Sequence, residues 1–229
     1  MSWRTNTLML QARNVGRCLG LNKWIAVLLN GRGYEVRYDQ SFQSTLRHGD
    51  CVWDVGANVG YYTRQFAERV GSDGRVFAFE PSPANFARLT STAAVLGHVT
   101  LVNAGLGREV GRLSFQQGAD DLGATSRIVE GGGTSVEIRT GAELLASKDA
   151  TMPNAIKIDV EGFELEVLQG MGEALRTPAL RAIGIEVHFT LLRERGMEHA
   201  PKQIERLLQN SGFRVIWPDA SHILALRPA

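Results

Sequence analysis

The sequence predicts a three-layer, Rossmann-like α/β fold around a seven-stranded, mostly parallel sheet whose last hairpin is antiparallel. Three observations support this prediction. Short apolar runs typical of buried strands alternate with segments in which apolar residues recur at three- and four-residue intervals. A glycine-rich turn follows the first apolar run, as in ligand-binding α/β units. The last two apolar runs are joined by residues 218–222, too few for a crossover helix, so these strands should pair antiparallel.

The elements follow one another in a regular order along most of the chain. The predicted strands are residues 51–55, 75–80, 99–103, 155–160, 182–187, 213–217 and 223–226. The predicted helices are residues 61–70, 83–96, 164–175 and 201–211. Alternating strands and helices imply a parallel sheet covered on both faces.

One segment interrupts the alternation. Residues 111–117 and 134–140 alternate apolar and polar side chains, which predicts an inserted hairpin after the third strand. The glycine-rich composition of its connector, residues 118–133, is compatible with a flap over a binding site and also with an ordinary loop. We therefore expect an N-terminal helical arm or cap (1–49) and one main domain (50–229) that carries the insert (111–140).

Composition restricts the class of protein. With 229 residues and 44% hydrophobic content, the chain can form one sizeable core, and its net charge of +1 gives no reason to expect nucleic acid as a partner. Its two cysteines form no disulfide or metal framework, which favours a reducing cytoplasm. The apolar stretch 19–29 is too short to span a bilayer, so no integral membrane segment is expected. The apolar residues of the arm could instead pack on another subunit, which leaves a homo-oligomer open.

The most informative segment is the turn D-V-G-A-N-V-G (54–60), taken together with Glu80. Gly56 and Gly60 let the backbone approach a ligand and adopt dihedral angles that side chains disfavour. The helix predicted behind the turn directs free N–H groups and a partial positive charge to the same place. Glu80 ends the second apolar run, where an acidic residue can accept the hydroxyls of a ribose. The segment therefore predicts a nucleoside-cofactor site.

Asn58 and Tyr61 indicate which cofactor the turn favours. A dinucleotide fingerprint has glycine at both places, the first to admit a pyrophosphate and the second for helix packing. An amide side chain occupies the space that a diphosphate needs, whereas the amino-acid end of S-adenosylmethionine is smaller. Asp54, at the end of the strand, can serve the ammonium group of that amino acid. The turn thus favours S-adenosylmethionine over a dinucleotide.

Charged residues end two later strands. In an open α/β sheet, ligands bind beyond the carboxyl ends of the strands. The fourth main strand ends in I-K-I-D-V-E-G, which places Lys157, Asp159 and Glu161 on one side at alternating positions. The fifth ends in I-E-V-H-F, which gives Glu186 and His188 the same spacing. If these strands are neighbours, the five residues meet near the reactive end of the cofactor, and they are the candidate catalytic residues.

Two kinds of chemistry fit this group of residues. A hydroxyl acceptor must lose a proton, and His188 suits the role of base, with Asp159 or Glu186 to orient it. Lys157 would pair with a neighbouring carboxylate and hold the group together. In the second interpretation, which we do not favour, Asp159, Glu186 and His188 hold a divalent metal ion that binds the substrate oxygen. The sequence leaves open which of these three residues is the base.

The motifs together resemble those of the FkbM-type family of S-adenosylmethionine-dependent methyltransferases. The resemblance covers about residues 49–188. It rests on D-V-G-A-N-V-G (54–60), F-E-P-S-P (79–83), K-I-D-V-E-G-F-E (157–164), V-L-Q-G-M (167–171) and I-E-V-H (185–188). It implies the class I methyltransferase fold and transfer of a methyl group, usually to a hydroxyl on a sugar, polyketide or similar natural product.

The resemblance also implies roles for single residues. The loop that holds the methionine end of the cofactor would consist of Asp54, Gly56, Asn58 and Gly60. Glu80, with Ser82 beside it, would hold the ribose, and Asn103 and Ala104 would meet the adenine. Asp159 would lie beside both the sulfonium group and the acceptor. After the third strand, N-A-G-L-G lacks the acidic residue that the family pattern has nearby.

Two other functions remain open from the sequence. One is a nicotinamide-dependent dehydrogenase, which Asn58 and Tyr61 disfavour. The other is a noncatalytic binding or scaffold module that keeps the cofactor fold. Intact Asp54, Glu80 and Asp159 argue against the loss of the site that such a module would have undergone.

Overall fold

The computed structural model describes residues 34–116, 127–129 and 134–228. Its helices are α1 (Tyr34–Gln43), α2 (Tyr61–Val70), α3 (Pro83–Ala93), α4 (Gly141–Ala146), α5 (Glu164–Met171), α6 (Phe189–Glu194) and α7 (Ala200–Asn210). Its strands are β1 (Cys51–Val55), β2 (Arg75–Phe79), β3 (Val99–Val102), β4 (Gly105–Leu106), β5 (Gly111–Gln116), β6 (Arg127–Val129), β7 (Thr134–Arg139), β8 (Ala155–Ile158), β9 (Ala182–Glu186), β10 (Arg214–Ile216) and β11 (His222–Leu226). A 3₁₀-helix, Gly172–Arg176, continues α5.

The main sheet has seven strands in the order β10-β11-β9-β8-β1-β2-β3. Strands β8, β9, β1, β2 and β3 pair in parallel. Strand β11 pairs antiparallel with both β9 and β10. This confirms the predicted α/β fold with an antiparallel final hairpin. It also confirms that β8 and β9, which carry the two charged strand ends, are neighbours.

Both faces of the main sheet are buried, which explains why its central strands are apolar at nearly every position. Val52 of β1 packs with Phe42 of α1 and Phe66 of α2 on one face. On the other face, Trp53 packs in a larger cluster that contains Leu168 of α5 and Leu208 of α7. Within the described part of the chain, no helix is both long enough and apolar enough to cross a membrane.

The insert is more elaborate than the predicted hairpin. Strands β5 and β7 pair antiparallel, as predicted. However, β4 and β6 extend the pair into a separate four-stranded sheet. Strand β6 (Arg127–Val129) lies within the predicted connector, because the second edge of β5 offers it a partner that a local sequence pattern does not reveal. The rest of the connector, and with it the prediction of a flap, lies outside the described residues.

Element boundaries shift where the backbone turns toward the site. Strands β2, β3, β8 and β9 end one or two residues before the predicted limits, so Glu80, Asn103, Asp159 and Val187 lie just beyond them. The predicted helix 164–175 is divided at Gly172, whose φ of 54° is left-handed, and the remainder is the 3₁₀-helix. The sequence patterns did not single out α4 and α6, which have six residues each, and they covered α1 only as part of the expected N-terminal helical arm.

Candidate functional site

The loop after β1 closes onto the end of β2. The N–H groups of Gly56 and Ala57 both donate to the carbonyl oxygen of Phe79 at 3.0 Å. The loop then turns into α2 through Gly60, whose φ is 93°. Asn58 also has a positive φ, of 53°, which is uncommon for a residue with a side chain. The predicted tight turn is thus present, and it directs the start of α2 toward the carboxyl ends of the strands.

Glu80 holds this loop from the neighbouring strand. One carboxylate oxygen of Glu80 accepts the N–H of Asn58 and the other accepts the N–H of Ser82, each at 2.8 Å. The residue is only 5% exposed. Burial raises the pKa of Glu80 to about 7, although both backbone hydrogen bonds favour the charged form. The carboxylate therefore organises the loop, and its role in binding a ribose stays a prediction.

Three other predicted cofactor residues lie around the turn that follows β2. The hydroxyl of Ser82 caps α3 by accepting the N–H of Asn85 at 3.4 Å. The side-chain amide of Asn103 donates to the carbonyl oxygens of Glu80 and Pro81 at 2.8 and 3.3 Å. Ala104 is buried. The side chains of Ser82 and Asn103 thus hold the backbone of the turn after β2 in place.

Asp54, near the end of β1, and Asn58, on the loop after β1, both carry buried polar atoms. Asp54 is fully buried and accepts a hydrogen bond from the Thr63 hydroxyl of α2 at 2.6 Å. The side-chain oxygen of Asn58 is buried and has no hydrogen-bond partner among the described residues. A buried acceptor without a partner is costly unless a ligand supplies a donor.

The loop contacts the end of β8 directly. A Cβ added to Gly56 would lie 1.9 Å from the backbone oxygen of Asp159, so no side chain fits between them. Lys157, which is 3% exposed, donates to the Asp159 carboxylate at 3.0 Å. Its ammonium group also lies 4.4 Å from the centre of the Tyr62 ring. The loop after β1 and the predicted catalytic residues after β8 are therefore in direct contact.

His188 is the centre of the charged group. Its Nε2 atom lies 3.2 Å from Glu161 Oε2, 3.6 Å from Asp159 Oδ1 and 3.9 Å from Glu186 Oε1. Its Nδ1 atom lies 2.7 Å from Glu164 Oε1. The His188 side chain is 1% exposed, whereas those of Asp159, Glu161 and Glu186 are between 24% and 29% exposed. Four carboxylates thus surround one buried imidazole.

These carboxylates control the charge of His188. Burial by itself lowers the pKa of a histidine, but Glu161, Glu164 and Glu186 outweigh burial and raise the pKa of His188 to about 10. At neutral pH both ring nitrogens therefore carry protons. The role of His188 as a general base stays a prediction, and it requires the loss of a proton that the carboxylates hold.

The last hairpin adds a second histidine that the sequence interpretation missed. His222 is paired directly with Glu186 in the register of β11 and β9, and its Nε2 lies 3.8 Å from Glu186 Oε2. Its Nδ1 lies 2.9 Å from Asp219. Burial alone would lower the pKa of His222, but Asp219 and Glu186 raise it to about 10. In turn, burial raises the pKa of Glu186, but His222 and His188 outweigh it, so the pKa lies well below its usual value.

Helix α1 covers this part of the site. The Tyr38 ring stacks on His222, with the ring centres 4.2 Å apart, and its hydroxyl lies over Gly184 of β9. That hydroxyl is buried without a hydrogen-bond partner among the described residues. Asp39, the next residue of the helix, accepts a hydrogen bond from the Tyr62 hydroxyl at 2.6 Å. The part of the arm that the structure describes therefore borders the site.

A model of a known protein family matches the part of the chain that contains most of this site. The family model described as the methyltransferase FkbM domain matches residues 54–215, which is most of the chain. The chain belongs to the FkbM methyltransferase family. This match begins at Asp54, near the end of β1, and continues past residue 188, where the resemblance of the sequence motifs ends.

Two curated relatives are similar in sequence. The hexuronic acid methyltransferase AglP of Haloferax volcanii is 34% identical over 163 residues, which is 71% of this chain and 62% of that protein. The chain thus spans less than two thirds of the length of that relative. The 31-O-demethyl-FK506 methyltransferase FkbM of Streptomyces tacrolimicus is 29% identical over 204 residues, with 75% of each chain covered.

Solved structures confirm the fold. A methyltransferase FkbM from Methylobacillus flagellatus has a TM-score of 0.51 at 17% identity, covering 77% of this chain and 43% of its own. An S-adenosylmethionine-dependent O-methyltransferase from Thermotoga maritima also has a TM-score of 0.51, at 13% identity, covering 90% of this chain and 71% of its own. At this identity, the likeness shows the class I methyltransferase fold alone.

Proposed function

We propose that this chain is an S-adenosylmethionine-dependent methyltransferase that methylates a hydroxyl group on a sugar, polyketide or similar small natural product. Membership of the FkbM family supports the reaction class. The observation that carries the proposal is the close contact between Gly56 and the backbone oxygen of Asp159, because it joins the cofactor loop to the charged strand ends. A cofactor held by that loop would present its reactive end to those charged residues.

The residues of the loop fit S-adenosylmethionine. The side-chain oxygen of Asn58, which has no partner in the described part of the chain, can accept a hydrogen bond from an ammonium group, and Asp54 adds negative charge nearby. Glu80 lies one strand away, where a carboxylate can accept the ribose hydroxyls. The side chain of Asn58 stands where a dinucleotide fingerprint has glycine, so the loop suits a diphosphate poorly. We therefore assign Asp54, Gly56, Asn58, Gly60 and Glu80 to cofactor binding.

Bound S-adenosylmethionine supplies a methyl carbon that its sulfonium group already activates. The remaining tasks of the protein are to orient the acceptor hydroxyl and to handle its proton. Asp159, Glu161 and Glu186 are partly exposed carboxylates at the edge of the sheet, and each can accept a hydrogen bond from an acceptor hydroxyl. Lys157 holds one oxygen of Asp159, which fixes the direction of that carboxylate. The buried ring of His188 lies next to all three carboxylates and holds them in place.

The acceptor class is inferred from the two curated relatives. One is named for a hexuronic acid and the other for 31-O-demethyl-FK506, a compound that lacks an O-methyl group. A surface with several carboxylates suits polyhydroxylated molecules, because each carboxylate accepts hydrogen bonds from hydroxyl groups. We therefore expect a hydroxyl of a sugar or polyketide as acceptor.

A transfer assay tests the proposal. The protein is incubated with methyl-labelled S-adenosylmethionine and a panel of hexuronic acids, neutral sugars and hydroxylated macrolides, and the products are analysed by mass spectrometry. We expect label in one product, attached to oxygen, and its loss in Asp159→Asn. Cofactor binding without transfer to any acceptor would favour the noncatalytic module. Reduction of NAD by a hydroxylated substrate would favour the dehydrogenase.

A further inference from the structure

We propose that Asp159, Glu161 and His188 form a binding site for a divalent metal ion at the edge of the cofactor loop. This ligand set differs from the one that the sequence suggested, because Glu161 replaces Glu186. Only the role of the ion depends on the proposed function: in methyl transfer, the ion would bind the acceptor oxygen. Binding of the ion can be measured without methyl transfer.

The spacing of the three side chains fits a single ion. One ligand atom from each residue can be chosen so that all three lie within 4.8 Å of one another. The Nε2 atom of His188 lies 3.2 Å from Glu161 Oε2 and 3.6 Å from Asp159 Oδ1. Adjacent ligands of an octahedral ion at about 2.1 Å lie about 3.0 Å apart. Both distances are slightly longer than this spacing, so a small movement of the partly exposed carboxylates toward Nε2 would let all three atoms bind one ion.

A buried carboxylate behind His188 is the second observation. Glu164 is fully buried, and its Oε1 atom accepts hydrogen bonds from the Gly162 N–H at 2.8 Å and from His188 Nδ1 at 2.7 Å. This bond keeps a proton on Nδ1 and turns Nε2 toward Asp159 and Glu161, where a bound ion would take the place of the Nε2 proton. Histidines that bind metals usually donate their other ring N–H to a carboxylate or a carbonyl oxygen in this way.

The backbone of Glu161 is the third observation. Glu161 has a φ of 51°, in the left-handed region that residues with side chains seldom adopt, and Gly162 follows with a φ of 96°. This turn directs the Glu161 side chain back to within 3.2 Å of His188. Unusual backbone conformations of this kind persist at ligand sites because the surrounding structure holds them.

The ligand chemistry indicates the class of ion. Carboxylates suit magnesium and manganese, whereas imidazole suits first-row transition metals. A set of two carboxylates and one imidazole therefore favours a first-row divalent ion such as Mn²⁺. The charge of the region agrees, since the described ion pairs bring four carboxylates (Asp159, Glu161, Glu164 and Glu186) together with Lys157, His188 and His222.

The experiment is a titration of the full chain with Mn²⁺ after treatment with a chelator and dialysis. Calorimetry, or the loss of the free Mn²⁺ signal in electron paramagnetic resonance, reports the binding. We expect the unmodified protein to bind one ion per chain. In Glu161→Gln the affinity for Mn²⁺ should fall by a factor of about 10 or more. Glu143→Gln is the matched control, because Glu143 is a partly exposed acid that pairs with Arg139 outside the site. It should bind Mn²⁺ like the unmodified protein.

The outcomes separate this inference from the proposed function. No Mn²⁺ binding, or equal binding by Glu161→Gln and the unmodified protein, would overturn the metal site. The four carboxylates around His188 would then serve only to stabilise its charged form. Circular dichroism of each variant excludes misfolding as the cause of a loss. S-adenosylmethionine is titrated into the same metal-free sample. Cofactor binding without Mn²⁺ binding removes only the metal site, whereas Mn²⁺ binding without cofactor binding removes only the proposed function.

Discussion

Gly56 packs so closely on Asp159 that a Cβ atom would come within 1.9 Å of the Asp159 backbone oxygen. The two residues follow neighbouring strands, β1 and β8, and belong to the two halves of the site. Because no side chain separates the halves, a ligand held by the loop after β1 lies beside the charged residues after β8 and β9.

Gly56→Ala should destabilise the protein more than Gly49→Ala. Both glycines have nearly the same positive φ, 84° and 83°, so each substitution costs about 1–2 kcal/mol of backbone strain. An added Cβ at Gly49 meets nothing within 4 Å, whereas at Gly56 it meets the Asp159 oxygen. Urea denaturation of both variants measures the difference. Equal losses of unfolding free energy would show that the contact is looser than described.

Glu80→Ala should weaken the binding of S-adenosylmethionine by about 1.5–3 kcal/mol, the value of charge-assisted hydrogen bonds. The variant also loses the bonds that hold the N–H groups of Asn58 and Ser82. Calorimetry gives the affinity, and Glu68→Ala serves as a control, since Glu68 lies exposed on α2 and pairs with Arg64. Unchanged affinity in Glu80→Ala would remove Glu80 from the cofactor site.

Cofactor affinity should fall as the pH is lowered through about 7. Burial raises the pKa of Glu80 to about 7, so the residue is a carboxylate above that pH and neutral below it. The charged form accepts hydrogen bonds from ribose hydroxyls more strongly than the neutral form. Calorimetry between about pH 5.5 and 8.5, which covers about 1.5 pH units on each side of this pKa, measures the change in cofactor affinity. The Glu80→Gln variant should lack this step, and the same step in both proteins would assign it to another group.

If His188 is the predicted general base, His188→Ala should lower turnover by about 10²- to 10⁴-fold while leaving cofactor affinity nearly intact. The imidazole holds Glu161, Asp159 and Glu186 together but has no described contact with the loop after β1. Single-turnover assays and calorimetry separate the two effects. His199→Ala is the control, because His199 is exposed at the start of α7 and makes no side-chain cap bond. Unchanged turnover in His188→Ala would exclude the histidine from catalysis.

Local sequence patterns were sufficient for one half of the site. The turn from Asp54 to Gly60 and the acid at Glu80 each follow an apolar strand, so their positions at the edge of the sheet could be predicted from spacing. The same reasoning placed Asp159 and His188 near each other, because parallel neighbours end at one edge. These predictions needed only the order of the strands.

The residues that the sequence interpretation missed depend on long-range packing. His222 reaches Glu186 because β11 inserts antiparallel beside β9, in a register that the short turn before it does not fix. Tyr38 reaches His222 because α1 packs on the face of the sheet, and nothing in its local pattern indicates that partner. Glu164 belongs to a recognised motif, but its contact with His188 spans 24 positions. The raised pKa of His188 follows from this assembly of carboxylates, which no single segment reveals.

The most direct test is calorimetry of the full chain with S-adenosylmethionine and, separately, with NAD. The loop from Asp54 to Gly60, the buried oxygen of Asn58 and the carboxylate of Glu80 predict that one S-adenosylmethionine binds per chain and that NAD does not bind. Binding of NAD without binding of S-adenosylmethionine would contradict the assignment of this site.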